Sequence, residues 1–281
     1  MYPVVKRKIL TAGIVLFEVR ASQVAAKALP GQFVIVRLDE KGERIPLTVT
    51  DSNRQKETIS IVVQDVGYST RQINKLQEGE AFLDFVGPLG VPTEIKYFGR
   101  VVCVAAGIGA APIYPIVRAL KQVGNEVITI IGARSKDLLI LEEEITAVSN
   151  KVLIATNDGS AGMQGFAADV LPDVFSEYCN NINHVWAIGP VLAMKAVADF
   201  TRPYGIKTIV SMNPIMVDGT GMCGACRVSV GGETKFACVD GPEFDGHLVD
   251  FDLAIQRLTY FKDEEKGALA KGACENGCGC D

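Results

Sequence analysis

The chain has 281 residues with a formal net charge of −5, and 48% of its residues are hydrophobic and 22% charged. This length allows two compact domains and a small additional module. The composition is ordinary for a globular protein, and a negative charge without a basic run argues against a nucleic-acid partner. No apolar stretch reaches the length of a membrane span, so no membrane partner is expected.

The N-terminal stretch resembles a signal peptide only superficially. Basic residues 6–8 precede the apolar residues 9–17, but Glu18 and Arg20 end the stretch, and no small-residue cleavage site follows. A first strand is therefore predicted here. Eight cysteines without a signal peptide are typical of a reducing compartment, where they serve as ligands rather than in disulfides. The predicted location is the cytoplasm.

Residues 1–98 are predicted to form an antiparallel barrel. Short strand-like runs alternate with turn residues such as Gly42, Gly67 and Gly79. Many short strands with this punctuation are typical of such a barrel. The clearest runs are residues 32–38, 59–64 and 80–85.

Residues 99–210 are predicted to form a doubly wound parallel sheet. Residues 101–105 are a continuous apolar run, as expected for a strand that is buried on both faces. Strand-like and helical patterns then alternate, which indicates an α/β domain. The further predicted elements are the strands 126–131, 152–155, 184–188 and 207–210, the last of them final in the sheet, and the helices 113–123, 138–148 and 166–178.

The third part, residues 211–281, contains a pattern that predicts an iron–sulfur centre. Plant-type ferredoxins hold a [2Fe–2S] cluster with a C-x4-C-x2-C run and a distant fourth cysteine. Here Asp218 takes the first position, Cys223 and Cys226 the next two, and Cys238 follows after eleven intervening residues. The glycines between them suit a tight loop that points backbone amides at sulfur. A helical stretch at 251–260 and a polar tail complete this part.

A structural zinc site is the alternative interpretation of the same segment. Zinc accepts cysteine and aspartate ligands, and Cys-x2-Cys is a common half of its sites. A second pair of zinc ligands is missing before the C-terminal tail, because the only histidines, His184 and His247, do not have the spacing of zinc-finger ligands. The pattern therefore favours an iron–sulfur cluster. If the segment bound zinc, the protein would be a zinc-stabilised nucleotide-binding module without redox activity.

Two segments of the predicted barrel suit a phosphate-bearing ring cofactor. In the run Arg44-Ile-Pro46-Leu47-Thr48, the arginine can pair with a phosphate, and the extended residues can lie against a flat ring. Gly67 frees the backbone, and Ser69 or Thr70 can cap the following helix, whose free amides form an anion site. Each segment alone fits equally well an edge strand with a surface arginine or a simply capped helix.

Four strand ends of the predicted sheet favour a nucleotide site. The turn Gly107-Ile-Gly109-Ala-Ala-Pro112 joins a buried strand to a helix, as in dinucleotide-binding turns, although Pro112 departs from the usual pattern. Ligands bind such sheets at the carboxyl ends of the strands. The other three ends contribute Arg134; Asn157, Asp158 and Gly159; and Gly189, Pro190 and Met194.

With these residues in place, the chain resembles the ferredoxin–NADP reductase superfamily, and within it the subunits that carry a C-terminal [2Fe–2S] segment. It is similar to the electron-transfer subunit of dihydroorotate dehydrogenase. It is also similar to the small subunit of bifurcating NADH-dependent reduced ferredoxin:NADP oxidoreductases, which is related to the sulfide dehydrogenase beta subunit. The second group shares Asp218 with three cysteines, whereas the first normally has four cysteines, so the second is favoured.

The resemblance implies FAD, a [2Fe–2S] cluster and NAD(H) as cofactors. It places Thr48 at the reactive edge of the flavin, Arg44, Ser69 and Thr70 at its phosphates, and Val62, Val63 and Gln64 in the flavin site. The motif beginning at Gly107 and Gly189-Pro190 correspond to nicotinamide nucleotide elements. Asp218 and the three cysteines correspond to the cluster ligands.

The resemblance also implies that the chain forms a heterodimer with a larger flavin and [4Fe–4S] subunit. Its further partners are then NADH and, indirectly, ferredoxin and NADP. An electron-transfer subunit of dihydroorotate dehydrogenase or of a cytoplasmic hydrogenase is the alternative. Preference for NAD or NADP stays open, since Arg134 suits a 2′-phosphate or the adenosine. Cys103 and Cys179 are expected to be structural, and Cys274, Cys278 and Cys280 to be either a further metal-binding end or a disordered terminus.

Overall fold

The computed structural model of the protein describes residues 1–178 and 181–275. Cys179, Cys278 and Cys280 lie outside this range. The first sheet has the strand order β6-β1-β2-β5-β4-β3-β7, with every pair antiparallel. It confirms the predicted barrel. Its strands are β1 Tyr2–Thr11, β2 Ile14–Arg20, β3 Phe33–Arg37, β4 Ile45–Asn53, β5 Thr58–Gln64, β6 Ala81–Phe82 and β7 Asp84–Leu89, with the short helices α1 Ser22–Ala25 and α2 Tyr68–Ile73.

Side-chain alternation explains how the barrel packs on the second sheet. On β5, Ile59, Ile61 and Val63 are buried in the barrel core, whereas Val62 packs outward with residues of the next domain. The strand predicted at 80–85 is divided into β6 and β7, because the backbone N–H of Leu83 turns to the carbonyls of Arg37 and Leu38.

The second sheet confirms the parallel α/β arrangement. Its order is β11-β10-β9-β8-β12-β13-β16, and all pairs from β11 to β13 are parallel. Its strands are β8 Arg100–Ala106, β9 Glu126–Ala133, β10 Lys151–Thr156, β11 Met163–Gln164, β12 His184–Ile188 and β13 Thr208–Ser211, and its helices are α3 Ala110–Gln122, α4 Glu142–Val148, α5 Leu171–Glu177 and α6 Val191–Thr201.

The sheet does not end at the strand that was predicted to be its last, residues 207–210. β13 is covered by an antiparallel edge strand from the third part of the chain. That part also forms a hairpin and two helices, including one within the expected polar tail. Its elements are β14 Arg227–Val230, β15 Glu233–Phe236, β16 Glu243–Asp245, α7 Phe251–Arg257 and α8 Lys262–Glu275.

The third part packs on both preceding sheets. Cys226 and Cys238 belong to one buried cluster that also contains Phe33 of β3 and Val210 of β13. The cysteine-containing loop is therefore close to the junction of the two larger sheets. Over residues 1–178 and 181–275, no helix combines the length and apolar character that a membrane crossing requires.

Candidate functional site

A cavity of about 570 Å³ lies between the barrel and the parallel sheet. Strands β4 and β5 form its barrel side, and the turns after β8 and β12 form its other side. The third part also contributes to the lining, with Ser211, Met212, Asn213, Pro214, Met216, Pro242 and Leu258. Among the predicted site residues, those that line it are Pro46, Leu47, Thr48, Val62, Gln64, Gly109, Pro112, Gly189 and Pro190.

Two glycines allow the nucleotide-side turns to meet. A Cβ atom on Gly109 would lie 2.0 Å from the carbonyl oxygen of Ile188. Gly189 has φ of +158°, and a Cβ there would lie 2.7 Å from the carbonyl oxygen of Ala106. Because β8 and β12 are neighbours in the sheet, their carboxyl ends bring both turns to one edge.

Several residues predicted to hold flavin lie outside the cavity lining. The Val63 side chain points into the barrel core, as alternation on β5 requires. Arg44 donates from Nε to the carbonyl oxygen of Val217 at 2.9 Å, which ties the barrel to the third part. Ser69 donates to a carboxylate oxygen of Glu43.

Thr70 caps the start of α2 rather than facing the cavity. Its Oγ1 accepts hydrogen bonds from the backbone N–H groups of Val66 and Gly67, at 3.1 and 3.0 Å. Gly67 is extended and precedes the helix. Phosphate binding by Arg44, Ser69 and Thr70 therefore stays a prediction.

The remaining predicted nucleotide residues lie at the same edge of the parallel sheet. Gly107 has φ of +56° at the start of its turn. The backbone N–H of Asp158 donates to the carbonyl of exposed Arg134 at 3.2 Å, and that of Asn157 donates to Ala133. Hydrogen bonds from Ser160 lower the pKa of Asp158. Gly159 follows with φ of +74°.

Met194 is placed differently, because it faces the interior of the sheet–helix layer. It is 1% exposed and belongs to the buried core under α6 rather than to the lining of the cavity. Cys103 is likewise buried in the middle of β8, as expected.

The third part brings two of the predicted cluster sulfurs together. Sγ of Cys226 and Sγ of Cys238 are 3.2 Å apart, and both residues are buried, whereas Cys223 is exposed. Backbone N–H groups of Ala225 and Asp218 lower the pKa of Cys223. Burial, reinforced by Cys226, raises the pKa of Cys238 to about 11, and the N–H of Gly221 acts in the opposite direction.

Glycines give the cluster loop its shape. Gly219, Gly221 and Gly224 have φ between +67° and +85°, in the left-handed region that favours glycine. A Cβ on Gly219 would lie 2.4 Å from Cδ1 of Ile35, so the loop packs closely on the barrel. The soft sulfur donors and the amides directed at them fit an iron–sulfur cluster.

The Asp218 side chain is turned into its own loop. Its Oδ2 accepts hydrogen bonds from the Thr220 hydroxyl and, at 2.9 Å, from the Thr220 N–H. These bonds lower the pKa of Asp218. Within the described part of the chain, no three cysteine, histidine, aspartate or glutamate side chains converge on one metal position. The role of Asp218 as a ligand therefore stays a prediction.

Thr50 is a cavity residue that the sequence reasoning missed. Thr50 lines the cavity and is 2% exposed, and its buried hydroxyl has no hydrogen-bond partner among the residues that the structure describes. A largely apolar cavity with a free buried hydroxyl fits a flat ring that carries polar atoms. Strand alternation was the signal that could have found it, because Pro46, Thr48 and Thr50 are spaced by two residues. No comparable signal marks Met212 or Leu258.

Comparison with protein families identifies the third part. Residues 213–250 match the iron–sulfur cluster binding domain of dihydroorotate dehydrogenase B. A Thermotoga maritima protein described as a homologue of the electron-transfer subunit of NAD⁺-dependent dihydroorotate dehydrogenase B is 47% identical over 94% of this chain and 92% of its own length. An uncharacterized Clostridium beijerinckii protein encoded in the adh 3′ region is 46% identical over 100% of this chain and 99% of its own.

Solved structures agree with this relationship. A chain from the structure of NADH-dependent reduced ferredoxin–NADP oxidoreductase, solved to study flavin-based electron bifurcation, has 44% identity and a TM-score of 0.89. The match covers 96% of this chain and 97% of that one. The ferredoxin reductase of carbazole 1,9a-dioxygenase matches at 18% identity and a TM-score of 0.62, over 73% of this chain and 65% of its own, which shows the shared fold alone.

Proposed function

Because this chain belongs to the family of dihydroorotate dehydrogenase B electron-transfer subunits and their homologues, we propose that it carries electrons between NAD(H) and a partner subunit through FAD and a [2Fe–2S] cluster. The interdomain cavity is the observation that carries the proposal. It joins the barrel motif around Thr48 to the glycine turns of the parallel sheet, and residues next to the cysteine loop complete it.

The chain's own residues bind and orient the cofactors. Pro46 and Thr48 present an extended strand face to the flavin ring, and Gly109 and Gly189 leave room for a nucleotide at the opposite wall. Cys223, Cys226 and Cys238, with Asp218 as the fourth ligand, hold the cluster. When bound, FAD exchanges hydride with NADH and single electrons with the cluster.

We assign the finer function as the small subunit of a bifurcating NADH, ferredoxin and NADP oxidoreductase. The 44% identity over nearly the full chain to a subunit of such an enzyme supports it. Asp218 in place of a first cysteine also supports it, because this combination distinguishes that group. The partner is then a larger subunit with its own flavin and [4Fe–4S] centres, and the two form a heterodimer.

The electron-transfer subunit of a dihydroorotate dehydrogenase is the second candidate. The match of residues 213–250 and the description of the Thermotoga relative favour it. The two candidates differ in the partner and in the final electron acceptor, while the tasks of this chain are the same.

Anaerobic purification of the chain with its native partner tests the proposal in two stages. Flavin and iron analysis of this chain after separation from its partner is expected to give one FAD and two irons, and a colourless, zinc-containing chain would refute the electron-transfer function. Mass spectrometry of the partner, with assays of dihydroorotate oxidation and of NADP reduction by NADH and reduced ferredoxin, then separates the candidates. Dihydroorotate oxidation by the complex would contradict the bifurcating assignment.

A further inference from the structure

Thr50 occupies an irregular position in β4. Val49 pairs with Ile61 and Asp51 pairs with Ser60, so Thr50 is the extra residue in the ladder between β4 and β5. A bulge of this kind redirects a side chain and often occurs next to an active site. Thr50 lies on the same face of β4 as Pro46 and Thr48 and lines the interdomain cavity, with the irregularity directly at its position.

The surroundings of Thr50 hold the strand in place. The next residue, Asp51, accepts a hydrogen bond from the guanidinium of Arg118 on α3 at 2.6 Å. Helix α3 begins at the glycine turn on the opposite wall of the cavity. The bulge is therefore anchored to the nucleotide domain.

The Thr50 hydroxyl has no partner within the described protein. It is buried, and a buried hydroxyl without a hydrogen bond destabilises a protein relative to an apolar group of the same shape. Valine has almost the same shape as threonine and would fill the site without this penalty. The hydroxyl is thus unfavourable for the empty fold, and because Thr50 lines the cavity, a ligand that reorients the Thr50 side chain on binding is the candidate partner.

We propose that the Thr50 hydroxyl is a hydrogen-bonding partner of the FAD ring, at one of the ring's carbonyl oxygens or nitrogens. This inference rests on the proposed function, since it assigns a further flavin-positioning residue to the same cavity. It predicts that loss of the hydroxyl weakens FAD binding without destabilising the flavin-free protein. Loss of a purely structural hydroxyl would destabilise the flavin-free protein instead.

The test uses the full chain, stripped of flavin and titrated with FAD. For Thr50→Val we expect the dissociation constant for FAD to rise about tenfold, with a changed flavin absorption spectrum, while the melting temperature of the flavin-free protein stays unchanged or rises. Thr50→Ser keeps the hydroxyl and is expected to bind FAD within about threefold of the original.

Thr129→Val is the matched control. Thr129 is also fully buried, but its hydroxyl bonds to that of Ser149 at 2.8 Å and lies outside the cavity. Its loss is expected to lower the melting temperature of the flavin-free protein and to leave FAD affinity unchanged.

Two results would overturn the inference. One is a Thr50→Val protein that binds FAD as tightly as the original. The other is a flavin-free Thr50→Val protein that is destabilised as much as Thr129→Val, because the hydroxyl would then have a protein partner. If the unaltered chain takes up no FAD at all, the proposed function itself fails.

Discussion

We expect Glu243→Gln to make the stability of the protein rise with pH between about 4 and 6.5. Glu243 lies on β16, and its carboxylate accepts a hydrogen bond from the Thr93 hydroxyl at 2.7 Å. Burial raises the pKa of Glu243 from 4.5 to about 7, although Thr93 and Trp186 act in the opposite direction. Burial is the larger cause of the raised pKa of the Cys103 thiol, and the charge of the Glu243 carboxylate is the second cause.

The sign of the Glu243 contribution follows from which state binds the proton. The folded protein holds this proton more tightly than the unfolded chain does. The stabilisation is therefore complete below pH 4.5 and is lost as the pH rises through about 7. Because one pKa unit corresponds to about 1.4 kcal/mol, the loss amounts to about 3 kcal/mol.

His184 contributes with the opposite sign. It is 8% exposed, and its ring contacts those of Phe98 and Trp186 with centroids 4.4 and 4.7 Å apart. Burial lowers its pKa from 6.5 to about 4. Its stabilisation is present above pH 6.5 and is lost as the pH falls through about 4, again by about 3 kcal/mol.

The two contributions nearly cancel between pH 4.5 and 6.5, so neither is visible in the original protein. In Glu243→Gln the contribution of His184 remains, so the free energy of unfolding rises with pH. In His184→Phe, which keeps the aromatic contacts, the contribution of Glu243 remains, so the free energy of unfolding falls with pH. Urea unfolding followed by circular dichroism at half-unit pH steps measures both. A pH-independent difference between Glu243→Gln and the original would refute the reasoning.

An exposed glutamate provides the control for this experiment. Glu233 pairs with Lys235 at 2.8 Å, and this hydrogen bond lowers the pKa of Glu233. Glu233→Gln is therefore expected to leave the window between pH 4.5 and 7 unchanged. A similar profile for both glutamine variants would mean that burial of Glu243 is not the cause.

Three further substitutions test the site. Gly109→Ala is expected to destabilise the fold by about 1–3 kcal/mol in chemical unfolding and to weaken nucleotide binding, because its Cβ would meet the Ile188 carbonyl; unchanged stability would contradict the packing of the two turns. Arg257 donates to the carbonyl of Ala225 at 3.2 Å, and Ala225 lies between two predicted cluster ligands. Because Arg257→Gln removes a positive charge near the cluster, it is expected to lower the reduction potential of the cluster by roughly 50 mV, whereas Arg257→Lys keeps the charge and the potential. Asp218→Cys adds an electron-donating thiolate and is expected to lower that potential in redox titrations, and an unchanged potential would contradict its role as a ligand.

Much of the fold was predictable because it depends on local patterns. Continuous apolar runs gave β8 and β9, and short alternating runs gave the barrel strands. The edge strand β16 was missed because Glu243–Asp245 is only three residues long and has no pattern of its own. It becomes a strand only because it lies next to the exposed side of β13.

The candidate site was predictable in part for the same reason. Motif residues at strand ends, such as Thr48, Gly109 and Gly189, line the cavity because strand order brings those ends to one place. Val63 and Met194 lie close to lining residues in the chain, but their side chains point into the core, which motif spacing does not reveal. Phosphate binding by Arg44 stays a prediction, and its contact with the carbonyl of Val217, far away in the chain, is one that motif spacing does not reveal.

The sequence by itself determined the kinds of element, their order and the donor types available to a cluster, because hydrophobic period, glycine placement and cysteine spacing are local properties. Only the tertiary structure decided that Thr50 is a cavity residue whose hydroxyl has no partner among the described residues and that the half-buried Glu243 lies beside Thr93. Both depend on contacts between segments far apart in the chain, since burial, and with it hydrogen bonding and proton affinity, is decided by neighbours that no local pattern specifies.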